Sequence, residues 1–236
     1  MLLRVKKIKV RAEGKEILKG VDLEIKKGEV QVLLGPNGSG KSVLAQTISG
    51  NPEYKVKEGK ILFLGKDITR LTPEKRSKMG IALVWQTPPL LRGVKFADLL
   101  KKISKKEIEA EKIGAAVLLK REVNVGFSGG EKKVSELMQI LSLNPKLVIF
   151  DEIDSGLDIK RLQRIAKVIK EELVEKGVSV LLITHWGQIV KFLKPDWTNV
   201  IVNGKIICKE RDYKKVLRTI KRYGYEKCKK CPLLTG

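Results

Sequence analysis

A glycine-rich segment between an apolar strand and a helix constrains this chain more than any other feature. It reads Gly35-Pro36-Asn37-Gly38-Ser39-Gly40-Lys41-Ser42 and matches the pattern G-x-x-x-x-G-K-[ST]. Glycines let backbone N–H groups turn inward around phosphates, and the positive end of the predicted helix 41–49 points at them. We therefore predict a nucleoside triphosphate site. Lys41 would contact the β- and γ-phosphates, and the Ser42 hydroxyl would ligate Mg²⁺.

Short apolar strands alternate with helices along the rest of the chain, which predicts an α/β fold with a P-loop NTPase core. Residues 2–34 read as strands and predict an antiparallel β subdomain. The apolar strands that follow favour a parallel sheet covered on both faces. The further predicted strands are 61–64, 81–85, 147–150, 178–183 and two near 197–208; the predicted helices are 73–78 with Thr72 as N-cap, 129–141, 158–175 and a basic one near 212–222.

We expect one domain over residues 1–236. A small helical subdomain is predicted over about 87–140, because residues 95–119 look helical and charged. A basic helix and a cysteine-containing tail are predicted over 208–236. Helix 158–175 is expected to bury one apolar face, made of Ile159, Leu162, Ile165, Ala166, Ile169 and Leu173.

The chain is strongly basic, with 49 Lys and Arg against 27 Asp and Glu and a net charge of +22. This balance favours acidic partners, or else marks a lysine-rich surface of the thermophilic kind. The sequence carries no recognisable nucleic-acid module, which argues against a nucleic-acid partner. No apolar run is long enough to span a membrane, and charges interrupt the N-terminal segment, so a cytoplasmic location is expected.

Two carboxylates follow the apolar strand 147–150. Asp151 is expected at the carboxyl end of a central strand, where ligands bind in open α/β sheets, and its predicted role is to hold Mg²⁺. Glu152 points elsewhere and can accept a proton from an attacking water. The alternative for Glu152 is a purely structural role, capping the following turn.

Two further polar residues lie at the ends of predicted strands. His185, the one histidine of the chain, follows 181–184 at the same expected sheet edge as Asp151. It is predicted to contact the γ-phosphate or the water, the alternative being a hydrogen-bonded packing residue. Gln86 ends strand 81–85, and its amide is predicted to meet Mg²⁺ or water.

A second glycine motif lies about 90 residues after the first. Ser128, Gly129 and Gly130 open a helix and therefore also present N–H donors to an anion. Two phosphate-binding helix ends fit one triphosphate poorly within one chain. They fit well if Ser128 and its glycines reach the triphosphate that Lys41 of a second subunit holds.

Together, segments 35–42, 127–131, 147–152 and 155–158, with Gln86 and His185, resemble the nucleotide-binding domain of ABC ATPases. The resemblance covers roughly residues 1–210. It implies Mg²⁺-dependent ATP hydrolysis, with two ATPs sandwiched in an ATP-dependent head-to-tail dimer of two such subunits. It also implies that Asp158 lies near the nucleotide, within a segment that communicates across the interface.

Within this superfamily, residues 16–21, 124–133 and 154–159 most resemble SufC, the ATPase of the SUF system for iron–sulfur cluster assembly. The resemblance implies SufB- and SufD-like scaffold proteins as partners, remodelled when ATP closes the dimer. Three features depart from the usual pattern. The interval from Gln86 to Phe127 is shorter, Val134-Ser135 replaces a basic–polar pair, and no aromatic residue between positions 4 and 30 can stack on adenine.

Other readings remain open. The same motifs suit the ATP-binding subunit of a membrane transporter, whose partner would be a permease, and the charge suits a nucleic-acid-directed ABC protein. Cys208, Cys228 and Cys231 do not form a disulfide framework. The Cys228–Cys231 pair is interpreted as part of a solvated tail, with a metal shared between two chains or a redox pair as alternatives.

Overall fold

The computed structural model describes residues 1–85, 88–104, 109–185 and 188–230. Its strands are β1 (Leu3–Ala12), β2 (Lys15–Ile25), β3 (Val30–Leu34), β4 (Val56–Phe63), β5 (Lys66–Asp67), β6 (Ile81–Val84), β7 (Leu91–Lys95), β8 (Glu122–Val123), β9 (Leu147–Asp151), β10 (Ser179–Thr184), β11 (Trp197–Val202) and β12 (Lys205–Glu210). Its helices are α1 (Lys41–Ser49), α2 (Pro73–Met79), α3 (Phe96–Ile103), α4 (Gly129–Ser142), α5 (Ile159–Ile169), α6 (Val190–Leu193) and α7 (Tyr213–Tyr223). Short 3-10 helices lie at Ala116–Leu118 and Tyr225–Lys230, and α5 continues as a π-helix over Lys170–Val174.

A six-stranded sheet runs through the centre of the molecule in the order β12-β11-β3-β10-β9-β6. Its strands pair in parallel except for β12, which is antiparallel to β11. Thr184 lies opposite Leu34, and Ile183 lies opposite Asp151. The loops that follow β3, β9 and β10 therefore leave the sheet at the same edge. This confirms the predicted parallel sheet and the P-loop core.

The central sheet is buried on both faces because its side chains alternate between two hydrophobic cores. On β3, Val32 and Leu34 belong to the core that includes residues of α4 and α5. Leu33 belongs to the other core, which also takes in α1 and the antiparallel sheet. That second sheet, in the order β2-β1-β4-β5, is the predicted N-terminal β subdomain. A continuous apolar run such as that of β9 follows directly from this double coverage.

A buried arginine fixes the carboxyl end of α1, a contact that the sequence did not predict. Arg76 of α2 donates from Nη1 to the carbonyls of Thr47 (2.7 Å) and Ile48 (2.9 Å), and from Nε to that of Leu71 (3.0 Å). Burial lowers the pKa of Arg76 to about 10, which still leaves it charged at neutral pH. The guanidinium thus satisfies carbonyls that a helix end leaves without an intrahelical partner.

Several sequence predictions need correction. The predicted helix over 95–119 is wrong in part: α3 ends at Ile103, 110–114 are turns, and β7 and β8 pair as an unpredicted two-stranded antiparallel sheet. Ile159 is exposed rather than on the buried face of α5. Thr72 does occupy the N-cap position of α2, but its side chain makes no capping hydrogen bond. The short helix α6 was not predicted. Within the described ranges, none of the helices combines the length and the apolar character needed to cross a bilayer.

The turn between β11 and β12 joins the two sheets to the loop after β3. Gly204 donates its N–H to the carbonyl of Ser39 (3.0 Å) and accepts from the N–H of Lys19 on β2 (2.9 Å). Its φ of +77° is in the left-handed region, and a Cβ there would lie 2.1 Å from the carbonyl oxygen of Ile17. Only glycine fits this close approach without moving backbone.

We therefore expect Gly204→Ala to lower the free energy of unfolding by about 2–4 kcal/mol, the sum of left-handed strain and overpacking. Gly65→Ala is the matched control, since Gly65 has a φ of +79° and open space around the new Cβ. It should cost about 1–2 kcal/mol, from strain alone. Urea unfolding of both variants measures the difference. Equal losses would show that the contact with Ile17 is not tight.

Candidate functional site

The glycine-rich loop folds as its sequence predicted, and each glycine that the argument uses has a steric reason. Gly38 and Gly40 have φ angles of +73° and +101°. A Cβ on Gly35 would lie 2.3 Å from the carbonyl oxygen of Ile201 on the neighbouring strand. The loop is thus pressed against the edge of the sheet, and α1 begins immediately after it at Lys41.

The side chain of Lys41, the first residue of α1, reaches back to the start of the loop. It is buried, and Nζ donates to the carbonyls of Gly35 (2.8 Å) and Pro36 (2.9 Å). Burial lowers the pKa of Lys41, while the nearby Glu152 and Asp151 carboxylates oppose that shift. The site therefore holds a partly dehydrated cation between phosphate-loop carbonyls and two carboxylates.

Asp151 and Ser42 supply oxygen atoms suited to a hard cation. Asp151 is 5% exposed, and its Oδ1 has no hydrogen-bond partner within the described part of the chain. Burial raises the pKa of Asp151, and the hydrogen bond from the Ser42 hydroxyl lowers it. A buried carboxylate oxygen with no partner, beside a hydroxyl, fits Mg²⁺, which prefers oxygen ligands.

Glu152 and His185 meet at the same edge. The Glu152 carboxylate contacts Nε2 of His185, and Nδ1 of His185 lies 3.3 Å from the carbonyl oxygen of Gly35. Glu152 has a φ of +57°, an uncommon value for a residue with a side chain, and its N–H donates to the carbonyl of Ile183 (2.9 Å). This backbone turn directs Glu152 differently from Asp151, as the sequence predicted. Strain of this kind is frequent at functional sites.

A lysine from α4 organises the loop after β9. Nζ of Lys133 donates to the carbonyls of Glu152 (3.1 Å), Ile153 (2.8 Å) and Ser155, and also contacts the Ser155 hydroxyl. Burial lowers the pKa of Lys133. The Lys133 ammonium group thus holds the backbone of the loop that carries Glu152. The sequence analysis included Lys133 in a resembling stretch but assigned it no role.

The second glycine motif forms the amino end of α4. Ser128 and Glu131 make a reciprocal capping box, with Glu131 N–H to Ser128 Oγ at 3.3 Å and Ser128 N–H to Glu131 Oε2 at 2.7 Å. Arg121 braces this end, since it pairs with Glu131 and stacks on Phe127 at 4.4 Å from the ring centre. Ser128 and Gly129 are exposed.

The cleft beside the P-loop has a volume of about 440 Å³. Ser128, Gly129 and Gly130 are not among the described residues that line it. Ile17 provides an aliphatic surface there, where an aromatic residue was absent from the sequence. The lining residues are Ile17, Asn37, Gly38, Gly40, Lys41, Ser42, Val43, Glu152 and His185.

Comparison with known proteins agrees with this geometry. The family model for ABC transporters matches residues 18–155. The chain belongs to the ABC transporter ATPase family. A relative from Cyanophora paradoxa, named probable ATP-dependent transporter ycf16, is 40% identical over 226 residues and covers 87% of each chain.

Solved structures of ATP-binding cassettes share the fold. The crystal structure of a nucleotide-free cassette from an ABC transporter matches with a TM-score of 0.81 and 27% identity, over 96% of this chain and 98% of that one. A dimeric cassette in a post-hydrolysis state, bound to ADP and Pi, matches with a TM-score of 0.72 and 22% identity, over 89% of this chain and 98% of that one. The predicted ABC ATPase fold is confirmed, and the chain is an ATP-binding ABC ATPase.

The remaining predicted site residues lie apart from the cleft or outside the described chain. Asp158 caps α5 by accepting the N–H of Arg161 (2.9 Å), so its predicted place near a nucleotide stays a prediction. Gln86 falls outside the described residues. So does Cys231, whereas Cys228 is buried in the main core, as is Cys208. The solvated-tail interpretation is therefore wrong for Cys228. Within the described ranges, no group of three or more metal-ligating side chains is present.

A buried carboxyl group connects α4 of this ABC ATPase to the end of β6. Oε1 of Glu136 accepts the N–H of Trp85 (3.1 Å), and Oε2 is buried with no partner among the described residues. Burial raises the pKa of Glu136 to about 7, although the Lys133 charge opposes the shift. Sequence patterns did not predict this contact, because Glu136 and Trp85 are 51 positions apart in the chain.

The raised pKa of Glu136 makes stability depend on pH. The folded protein keeps this proton up to about pH 7, whereas the unfolded chain releases it near pH 4.5, so stability falls between these values. Glu136→Gln keeps an acceptor but removes the titration. We expect its unfolding free energy, relative to the parent protein, to rise by about 3 kcal/mol from pH 4 to pH 8.

Urea unfolding at several pH values measures this difference. Glu111→Gln, a change of the same kind at an exposed position, should follow the parent protein at every pH. If the Glu136→Gln curve ran parallel to the parent curve, Glu136 would not titrate abnormally.

Proposed function

We propose that this ABC ATPase hydrolyses Mg²⁺-ATP at a site completed by a second copy of the chain. The work would be iron–sulfur cluster assembly on a SufB/SufD-like scaffold. The observation that carries the chemical part is the convergence of Lys41, Asp151, Glu152 and His185 at one sheet edge. The proposed partner rests on the resemblance of residues 124–133 and 154–159 to SufC.

Lys41 and the loop N–H groups would bind the β- and γ-phosphates, with the purine against Ile17. Ser42 and Asp151 would hold Mg²⁺, with the Gln86 amide as a further ligand. When bound, Mg²⁺ neutralises negative charge on the phosphate oxygens. Bound phosphates would add their negative charge to that of the carboxylates around Lys41, and so would favour the protonated form of the lysine.

Hydrolysis requires a water to attack the γ-phosphorus in line with the bond to the bridging oxygen. As the new P–O bond forms, the old one breaks and its electrons leave with ADP, while the Glu152 carboxylate accepts a proton from the water. His185 would orient the γ-phosphate and keep Glu152 in place. Their direct contact at the cleft wall supports this pairing of roles.

The second copy would supply Ser128, Gly129 and Gly130. The amino end of α4 carries a positive partial charge, and an anion placed there is stabilised. Ser128 and Gly129 are exposed, and none of the three residues is among the described lining of the chain's own cleft, which supports a partner-facing role. A cassette of similar fold is described as a dimer with ADP and Pi. In such an arrangement Asp158 would lie across the interface, near the nucleotide.

A membrane permease is the alternative partner. The names of the relatives favour it, since the one from Cyanophora paradoxa is called a probable ATP-dependent transporter. Purification of the tagged protein from its own cells discriminates the two. Co-elution of a SufB- or SufD-like protein supports the scaffold, and co-elution of a multi-span membrane protein contradicts it.

Replacement of Glu152 tests the catalytic proposal. Gln has the same shape but cannot accept the proton, so Glu152→Gln should slow hydrolysis by about 10²- to 10⁴-fold while ATP binding persists. With ATP retained between two copies, a dimer should accumulate on size-exclusion chromatography. Glu53→Gln, at an exposed position, should behave as the parent protein does. A parental hydrolysis rate in Glu152→Gln would remove this residue from the reaction.

A further inference from the structure

The C-terminal segment returns to the nucleotide edge and touches the loop that carries His185. The Tyr225 hydroxyl donates a hydrogen bond to the backbone carbonyl of His185, at 2.9 Å. The two residues are 40 positions apart in the chain. Tyr225 also lies outside residues 18–155, the part that the ABC transporter family model matches.

Packing against the main hydrophobic core holds Tyr225 in place. The tyrosine opens the 3-10 helix Tyr225–Lys230, and Cys228 comes one 3-10 turn later, so the two side chains share a face. Cys228 is 5% exposed within the main core, against which Tyr225 itself packs. The preceding helix α7 is fixed in the same core by Val216. The hydroxyl is therefore presented from a rigid support.

The tyrosine acts here as a donor, because a carbonyl oxygen can only accept. Burial raises the pKa of Tyr225, so the hydroxyl keeps its proton throughout the physiological range. The hydrogen bond is partly buried, so a hydroxyl that lost this acceptor would be only partly compensated by water. Phenylalanine would fill the same space without the bond.

Apart from this hydrogen bond, a cavity lies between the C-terminal segment and the phosphate loop. A cavity of about 700 Å³ is lined by Pro36 and Asn37 on one side and by Leu217, Ile220 and Tyr225 on the other. His185 and Tyr225 both line this cavity, so the hydrogen bond between them lies at the cavity wall and not within a continuously packed interface. Its removal should disturb His185 more than the core.

His185 is restrained through both its side chain and its backbone. The ring lies between the Gly35 carbonyl and the Glu152 carboxylate, and the backbone carbonyl accepts from Tyr225. Small displacements of a group that orients a reacting phosphate cost rate steeply. The backbone restraint therefore reaches the reaction without touching ATP.

We propose that Tyr225 is a positioning residue for His185, and that through it the C-terminal segment sets the rate of ATP hydrolysis. The inference rests on the proposed function, because it needs His185 to act on the γ-phosphate. It assigns a role to a part of the chain beyond the nucleotide-binding motifs.

Tyr225→Phe tests the proposal. Loss of one neutral hydrogen bond should lower kcat by about three- to tenfold and leave KM for ATP within about twofold. Tyr223→Phe is the matched control, since Tyr223 is exposed and lies two positions away. It should leave both constants unchanged. Rates are compared at a temperature where circular dichroism shows both variants folded.

His185→Ala distinguishes the proposed role of His185 in hydrolysis from the proposed positioning role of Tyr225. If His185→Ala hydrolyses ATP at the parental rate, the proposed role of His185 fails. If it is slow, Tyr225→Phe should add no further loss in that background, because the hydroxyl acts through the missing ring. A parental kcat in Tyr225→Phe, a change in KM alone, or an equal loss in both backgrounds would overturn the inference.

Discussion

The functional edge depends on the parallel register of three neighbouring strands. Because β3, β9 and β10 run in the same direction, with Leu34 opposite Thr184 and Asp151 opposite Ile183, their three following loops meet. A slip of one residue would turn each strand's side chains to the wrong core. Burial on both faces opposes such slips, so the apolar cores fix the positions of the charged groups at this edge.

The same edge concentrates charge where water is scarce. Lys41 and Asp151 are buried beside Glu152 and His185, and burial shifts the pKa of the lysine down and that of the aspartate up. Burial thus weakens the charged forms of Lys41 and Asp151, whereas an opposite charge close to either one strengthens its charged form. A triphosphate with its cation supplies both signs of charge at once, which explains how one ligand can satisfy the whole cluster.

Local patterns predicted the parts of this site that depend on neighbouring residues in sequence. The bounds of β3 and α1 follow from a short apolar run and a glycine motif, and the position of Asp151 follows from the strand before it. Ile159 was placed on a buried face because its spacing fits, yet it is the first residue of α5 and is 55% exposed. Periodicity describes a whole helix and does not report which end is covered.

Long-range contacts carried no sequence signal. Arg76, Lys133, Glu136 and Tyr225 each bond to backbone groups far away in the chain, and a charged or aromatic residue in a helix looks the same whether or not it does so. These residues position the elements that the motifs identify. They are the part of the site that only a three-dimensional structure reveals.

Ser128 and Gly129 at the amino end of α4 are exposed and do not line the described cleft of their own chain, so the central claim is that a second copy completes the site. The direct measurement is ATP hydrolysis per chain across a dilution series, with the association state followed by sedimentation in the presence of ATP. The account predicts that activity per chain rises with protein concentration and levels off where the dimer forms. Constant activity per chain at concentrations where only the monomer sediments would contradict it.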